Sequence, residues 1–170
     1  MAITEIPYAD YADLFIEKES HGGVFLSTCA DGKNNTMTIG WGSIGFMWGK
    51  PVLTVMIRKS RYSYELIEKN PEFTVSIPIH DDFKKALGIC GSKSGRSLDK
   101  FKEADLEILA GQKVTPPAIK GAGLHLECKV RYQQILSAEK FSPELCDKWY
   151  SDQDWHVLYY GEIVSAYVEK

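Results

Sequence analysis

Apolar residues recur with helical spacing near the start of the chain and mostly with strand spacing after it. Tyr11, Leu14, Phe15 and Lys18 fall at i, i+3, i+4 and i+7, which puts three apolar groups on one face of a short helix that His21-Gly22-Gly23 ends. The pattern then predicts a strand over 24–29, a turn over 30–34 around Asp31-Gly32, and a second strand over 37–46 interrupted by glycines, together a hairpin signature. Gly49-Lys50-Pro51 makes another turn before the 52–57 run, which is apolar enough to be covered on both faces. A helix over 62–69 stops at Asn70-Pro71, residues 73–77 alternate as a strand, and Asp81 or Asp82 is suited to cap a helix running through Leu87. Residues 90–97 read as a loop and 98–104 as one or two helical turns.

Pro116-Pro117 and Gly121-Ala122-Gly123 bracket a connection, after which the strand pattern is at its clearest. Leu124, Leu126, Cys128, Val130 and Tyr132 occupy one face, and His125, Glu127, Lys129 and Arg131 the other. Ser142-Pro143-Glu144 is a helix start, and a final strand over 156–168 carries Gly161 as a bulge or kink. Many short strands with small helices between them predict a mainly β chain, an antiparallel barrel or sandwich with peripheral helices, in one domain over 1–170. A chain of 170 residues can bury the larger part of its surface in one core, whereas two domains would each be small.

Charge excludes one class of function. The 20 Lys and Arg against 23 Asp and Glu leave a net charge of −3, the wrong sign for a surface that neutralises phosphate backbones. Four cysteines, Cys29, Cys90, Cys128 and Cys146, form no Cys-x-x-Cys pair, and the four histidines show no metal-ligand spacing, so no metal site is expected. The first residues lack a basic region followed by an apolar run, and no stretch is long and apolar enough for a membrane span. The expectation is a cytoplasmic protein with reduced thiols. Dinucleotide and Walker glycine motifs are absent as well.

Against that acidic background, seven of the 20 cations fall in two short segments. Arg58-Lys59-Ser60-Arg61 holds three, and residues 93–102 hold Lys93, Arg96, Lys100 and Lys102. Both carry hydroxyls, Ser60 and Ser63 in one and Ser92, Ser94 and Ser97 in the other, and both lead into a predicted helix. Free backbone N–H groups, the helix dipole and guanidinium forks suit such places to a phosphate. Two solvated basic loops would give the same pattern. In a third segment, Asn35-Thr36-Met37-Thr38-Ile39-Gly40-Trp41, strand alternation sets Asn35, Met37, Ile39 and Trp41 on one face and Thr36, Thr38 and Gly40 on the other. A glycine lets a flat group approach the backbone, and amides and hydroxyls can satisfy a ring's polar edge. A Trp and a Met filling a barrel core is the alternative.

These segments together resemble the flavin reductase-like family, which includes flavoredoxin and has the FMN-binding split β-barrel fold, an antiparallel Greek-key barrel. Four blocks carry the likeness in order: residues 35–41 just quoted, Arg58-Lys59-Ser60-Arg61-Tyr62-Ser63-Tyr64, Ser94-Gly95-Arg96-Ser97-Leu98-Asp99-Lys100-Phe101, and His156-Val157-Leu158-Tyr159-Tyr160-Gly161-Glu162-Ile163. The resemblance covers about 23–165 and implies a homodimer binding FMN near the subunit interface. By position, Asn35, Thr36, Met37, Thr38 and Trp41 would contact the isoalloxazine ring, and Arg58, Ser60 and Ser63 the phosphate. Ser94, Gly95, Arg96 and Lys100 would close the site from the second basic loop. Gly40 stands where relatives often have Ser, so one hydroxyl contact is replaced.

The resemblance further implies an FMN-dependent oxidoreductase with NAD(P)H as co-substrate, hydride passing to flavin N5 and electrons onward. His156 matches a histidine that the family often carries before its last strand. It is the one candidate catalytic side chain, as a nicotinamide contact, unless it is a hydrogen-bonded structural histidine. A flavoredoxin-type carrier that serves a redox protein without reacting with nicotinamide is the second reading, and a barrel that has lost its flavin the third. Cys90 is read as a buried, inert thiol. Residues 141–155, with Trp149, Tyr150 and Trp155, match no family block and are read as a cover over the site or a dimer contact.

Overall fold

The computed structural model describes residues 2–80 and 83–169. Among the described residues ten strands, β1 (Ile3–Glu5), β2 (Val24–Ala30), β3 (Lys33–Ile39), β4 (Gly42–Met47), β5 (Lys50–Arg58), β6 (Glu72–Pro78), β7 (Ile108–Leu109), β8 (Ala118–Ile119), β9 (Gly123–Ile135) and β10 (His156–Glu169), alternate with five α-helices and short 3-10 turns. These are α1 (Ala12–Ser20), α2 (Tyr62–Lys69), α3 (Lys84–Ser92), α4 (Lys100–Glu103) and α5 (Pro143–Tyr150). The main sheet has the order β3-β2-β6-β9-β10-β5-β4, with β1 added on β10, and these strand pairs are antiparallel. The mainly β, antiparallel architecture expected from the pattern is the one observed.

The connection between β3 and β4 forces this sheet to curl. They are the two ends of the strand order, yet only Gly40 and Trp41 separate them along the chain. Two edges joined by so short a link must come together, and a twisted sheet whose edges meet closes around a core. The 37–46 strand expected from the pattern is thus two strands. β3 leaves β2 after the Val24–Ile39 pair, and β4 begins on β5 at Gly42–Val55. Glycine is required at 42, because a Cβ there would lie 2.7 Å from the Thr54 carbonyl and 2.8 Å from Glu19 Oε1. Inward residues of β2, β3, β5, β6, β9 and β10 fill the interior, with Phe15 of α1 inserted among them and fully buried. A second apolar cluster, Phe25, Ala86, Leu87, Cys90, Phe101 and Ile119, seats α3 and α4 on the outside of β2 and β3.

Local signals set the element ends. Asp31-Gly32 and Trp48-Gly49 all have positive φ and make two-residue turns that match strand twist. The pairing register of β9 and β10 shifts between Tyr160 and Gly161, where the bulge was expected. The helix start at Ser142 is observed, though Ser142 makes no side-chain cap bond. Three further expectations change. Helix α3 continues to Ser92, through part of the segment read as a loop. Pairs β1–β10 and β7–β8 have no counterpart in the pattern. The polar alternates His125 and Glu127 are fully buried, because backbone amides of Gln112 and Lys113 come across that face to bond the Glu127 carboxylate. The proposed caps Asp81 and Asp82 lie outside the described residues.

Candidate functional site

The segments singled out from sequence, distant along the chain, surround one cavity of about 440 Å³. Its floor comes from Asn35, Met37, Thr38 and Ile39 of β3, from Gly40 and Trp41 of the β3–β4 link, and from Met56 near the end of β5. Arg58, Ser60, Arg61 and Ser63 line it from the β5–α2 turn, and the stretch from Cys90 to Arg96, with Lys100, from the α3–α4 connection. His156 and Trp149 complete the wall. Of the expected site residues only Thr36 is not in the lining. It is fully buried, accepts from the Ser27 hydroxyl and donates to the Leu26 carbonyl, which holds it inside the sheet.

Several of these side chains are already engaged. The Asn35 amide donates to Ser63 Oγ at 2.8 Å, and a Cβ on Gly95 would sit 2.0 Å from Asn35 Oδ1, so Gly95 is needed for the second basic loop to lie on β3. Thr38 donates to the Leu87 carbonyl at 2.7 Å, fastening β3 to α3. Arg96 bonds Glu65 through Nε and a terminal nitrogen and reaches the Ser60 carbonyl at 2.7 Å, tying the two basic segments together. Lys93 pairs with Glu103.

Arg58 is held most completely. Its guanidinium donates to the Asp154 and Trp149 carbonyls, both at 2.8 Å, and to Asp152 Oδ1 at 3.3 Å, and it lies 5.2 Å from the Tyr150 ring centroid. Beside it, Asp154 accepts from the Ser60 hydroxyl at 2.6 Å and from the Ser60 N–H at 3.2 Å. The groups expected to receive a phosphate thus hold the carboxylate and carbonyls of residues 149–154, a segment that matched no family block.

Two cations differ. Arg61 is exposed into the cavity and its guanidinium makes no hydrogen bond or ion pair among the described residues. Lys100 is buried, and its ammonium donates to a single acceptor, the Cys90 carbonyl at 2.7 Å. Burial pushes the Lys100 pKa down, and the positive charge of Arg61 adds to that. A buried ammonium with unused donors beside a second unpaired cation is a site built for an anion. The sequence reading included Arg61 in the basic run but missed it as a site residue, because nothing in a run of cations shows which member lacks a carboxylate partner.

Aromatic and sulfur groups shape the remainder. Trp41 meets Trp149 edge-on with centroids 4.8 Å apart and lies 5.3 Å from the His156 ring. Met37 and Met56 add soft apolar surface next to it. His156 is kept neutral: burial, then the nearby Arg58, lowers its pKa to about 4 despite the opposing carboxylates of Asp154 and Asp152. Cys90 also borders the cavity; it is buried, as expected, and that burial raises its thiol to about 11. Among the described residues no cluster of His, Cys, Asp and Glu could hold a metal ion, and no helix is long and apolar enough to cross a membrane.

The curated relatives include an uncharacterized protein of Archaeoglobus fulgidus, 33% identical over 98 residues that make up 58% of this chain and 54% of that protein. A Pyrococcus abyssi relative also matches over 54% of its length, so the chain spans about half the length of the curated relatives it matches. Among solved structures, flavoredoxin from Methanosarcina acetivorans is 32% identical, with a TM-score of 0.67 over 87% of this chain and 69% of its own. The FMN-binding domain of a flavin reductases-like enzyme from Shewanella baltica shares the fold at 20% identity, with a TM-score of 0.68 over 98% of this chain and 77% of its own. The family model described as Flavin reductase like domain matches residues 18–170, and the chain belongs to that family.

Proposed function

We propose that the cavity binds FMN and that the protein is an FMN-dependent oxidoreductase that takes hydride from NAD(P)H and passes electrons onward. The observation that carries this reading is the pair Arg61 and Lys100, two cations without carboxylate partners among the described residues, facing a cavity floored by Trp41, Met37 and Met56. The residues present suit the cofactor. A cavity of 440 Å³ lies in the size range of small-ligand sites, about 300–1,000 Å³. Arg61 and Lys100 match a phosphate or another anionic group, and the indole and thioether surfaces match a flat ring.

Bound FMN would supply a hydride acceptor at N5, so the protein itself needs no acid or base for that step. On this reading Arg61 and Lys100 neutralise the anionic portion. Asn35, Met37, Thr38 and Trp41 fix the ring, with Ser63 behind Asn35. Ser94, Gly95 and Arg96 hold the second basic loop closed. Arg58 and Ser60 act by holding residues 149–154 against the site, unless Asp154 gives way to the phosphate. The likeness to flavoredoxin at 32% identity favours a second reading, an electron carrier that serves a redox protein and does not react with nicotinamide.

An absorbance spectrum before and after FMN addition tests the cofactor: a colourless protein that takes up no FMN would end both readings. Stopped-flow mixing of the yellow protein with NADH and with NADPH then separates them, bleaching of the flavin band supporting the reductase and its absence the carrier.

The reading extends to a homodimer. Phe46, Trp48, Tyr132 and Ile135 are exposed, and the rings of Trp48, Tyr132 and Tyr160 touch at centroid distances of 5.5–6.2 Å, an apolar face suited to a second copy of this chain. Sedimentation velocity should give a dimer, and Trp48→Glu should yield monomer; a monomeric parent protein would remove this part of the reading.

A further inference from the structure

Residues 141–155 carry more than a cover. Tyr150, at the end of α5, is buried to 2% exposure, stacked on Trp155 at a centroid distance of 4.6 Å and 16° between planes, and faced by the Arg58 guanidinium. Its hydroxyl lies 2.8 Å from His156 Nδ1 and has no other partner among the described residues. A buried phenol that accepted from an Nδ1–H would leave its own proton without an acceptor, whereas donating to an unprotonated Nδ1 satisfies both groups. A neutral imidazole with Nδ1 as acceptor carries its proton on Nε2. That nitrogen makes no hydrogen bond to the protein among the described residues, and the ring lines the cavity beside Trp41 and Trp149.

We propose that Tyr150 is a positioning residue for His156. By donating to Nδ1 it holds the imidazole as the Nε2–H tautomer, and so makes the Trp41–Trp149 end of the cavity a seat for a ligand group that accepts a hydrogen bond, such as a carbonyl or carboxamide oxygen. Arg58 serves this arrangement as a strut, since its bonds to Trp149, Asp152 and Asp154 fix the end of α5 on which Tyr150 stands. The tautomer follows from the geometry alone. That the seated group is the reaction partner of a flavin rests on the reading above.

Long-range proton–nitrogen NMR of the ¹⁵N-histidine-labelled full chain near pH 7, with His156 assigned by its loss in His156→Gln, tests this directly. The expected spectrum shows His156 in the single Nε2–H form in the parent protein and a mixture of tautomers in Tyr150→Phe. An Nδ1–H signal, or a mixture in the parent protein, overturns the proposal even where Tyr150→Phe does not fold. Benzamide supplies the acceptor probe. It should shift the His156 nitrogen signals, bind His156→Gln, whose amide nitrogen can stand near Nε2, within about two-fold of the parent, and bind His156→Asn about five-fold more weakly, the worth of one neutral hydrogen bond. Equal affinity for the parent and His156→Asn would remove the seat. Because these measurements need no flavin, an Nε2–H signal in a protein that takes up no FMN would end the cofactor reading and leave this assignment standing.

Discussion

Arg58 and Arg61 sit three residues apart in one basic run, and only the fold tells them apart. Arg58 reaches partners as far as 96 positions away in sequence, a distance no local pattern encodes, and its donors are committed to the 149–154 segment. Arg61 has no such partner among the described residues and shares the cavity with Lys100. The nature of the site was therefore legible as a concentration of cations and hydroxyls near a glycine-containing aromatic strand, but the role of each cation was not. Thr36 shows the converse limit: alternation puts it on the face of Thr38 and Gly40, which do line the cavity, yet its hydroxyl is buried between Ser27 and the Leu26 carbonyl, partners that only the pairing of β2 with β3 brings to it. On the FMN reading, Arg61→Ala should weaken FMN about ten-fold or more and riboflavin less than two-fold, because a charge-assisted bond to phosphate is worth ~1.5–3 kcal/mol. Arg58→Ala should weaken both flavins alike, by loosening residues 149–154. Fluorescence-quenching titrations with the two flavins decide: an FMN-selective loss in Arg58→Ala would return the phosphate to Arg58.

At the scale of elements, the sequence is most informative where one local rule acts alone. Helix α2 occupies Tyr62–Lys69 as the pattern predicted, because Asn70-Pro71 stops it and an apolar stripe meets the core. Helix α3 runs past Leu87 to Ser92, across Gly88 and Gly91. In the fold, Ala86, Leu87 and Cys90 are buried against Phe25 and Phe101, which outweighs the glycines' poor propensity. Strand β1 is exposed along its length and carries no alternation, so only its partner β10 defines it. Gly161 joins the local and the distant. A bulge was readable from the glycine, but not that a Cβ there would stand 2.6 Å from the Phe73 ring and 2.8 Å from Cys128 Cβ. Gly161→Ala should therefore lower stability by about 1–3 kcal/mol, the usual cost of overpacking, read as a lower denaturant midpoint. Gly45→Ala, whose added methyl would meet nothing nearer than Met47 Cε at 3.9 Å, should leave the midpoint unchanged or slightly higher. Equal behaviour of the two variants would mean that the β9–β10 crossing is not tightly packed at Gly161.

The molecule as a whole buries three groups whose protonation opposes one another between pH 4.5 and 6.5. Burial lowers His125 to about 4, its Nδ1 bonded to Ser76 and its Nε2 3.6 Å from Glu169. His156, among Tyr150, Arg58, Arg61, Asp152 and Asp154, is also lowered to about 4. Burial raises Glu19 to about 7; its Oε1 has no hydrogen-bond partner among the described residues and lies near Gly42, where β4 begins. In the unfolded chain the histidines titrate near 6.5 and the glutamate near 4.5. Across that window the unfolded chain therefore holds two histidine protons that the fold lacks, while the fold holds one carboxyl proton that the unfolded chain lacks. The surplus of one proton on the unfolded side makes stability rise with pH, by ~1 kcal/mol per unit. Glu19→Gln removes the opposing group, so its stability should climb about twice as steeply over the same range, while the parent protein loses part of its gain because Glu19 is ionised in the unfolded chain and still protonated in the fold. Urea unfolding at half-unit pH intervals measures both slopes. A parent slope that is flat or falling would mean that the buried histidines keep their protons in the folded protein, and with them a charged rather than neutral His156 in the cavity wall.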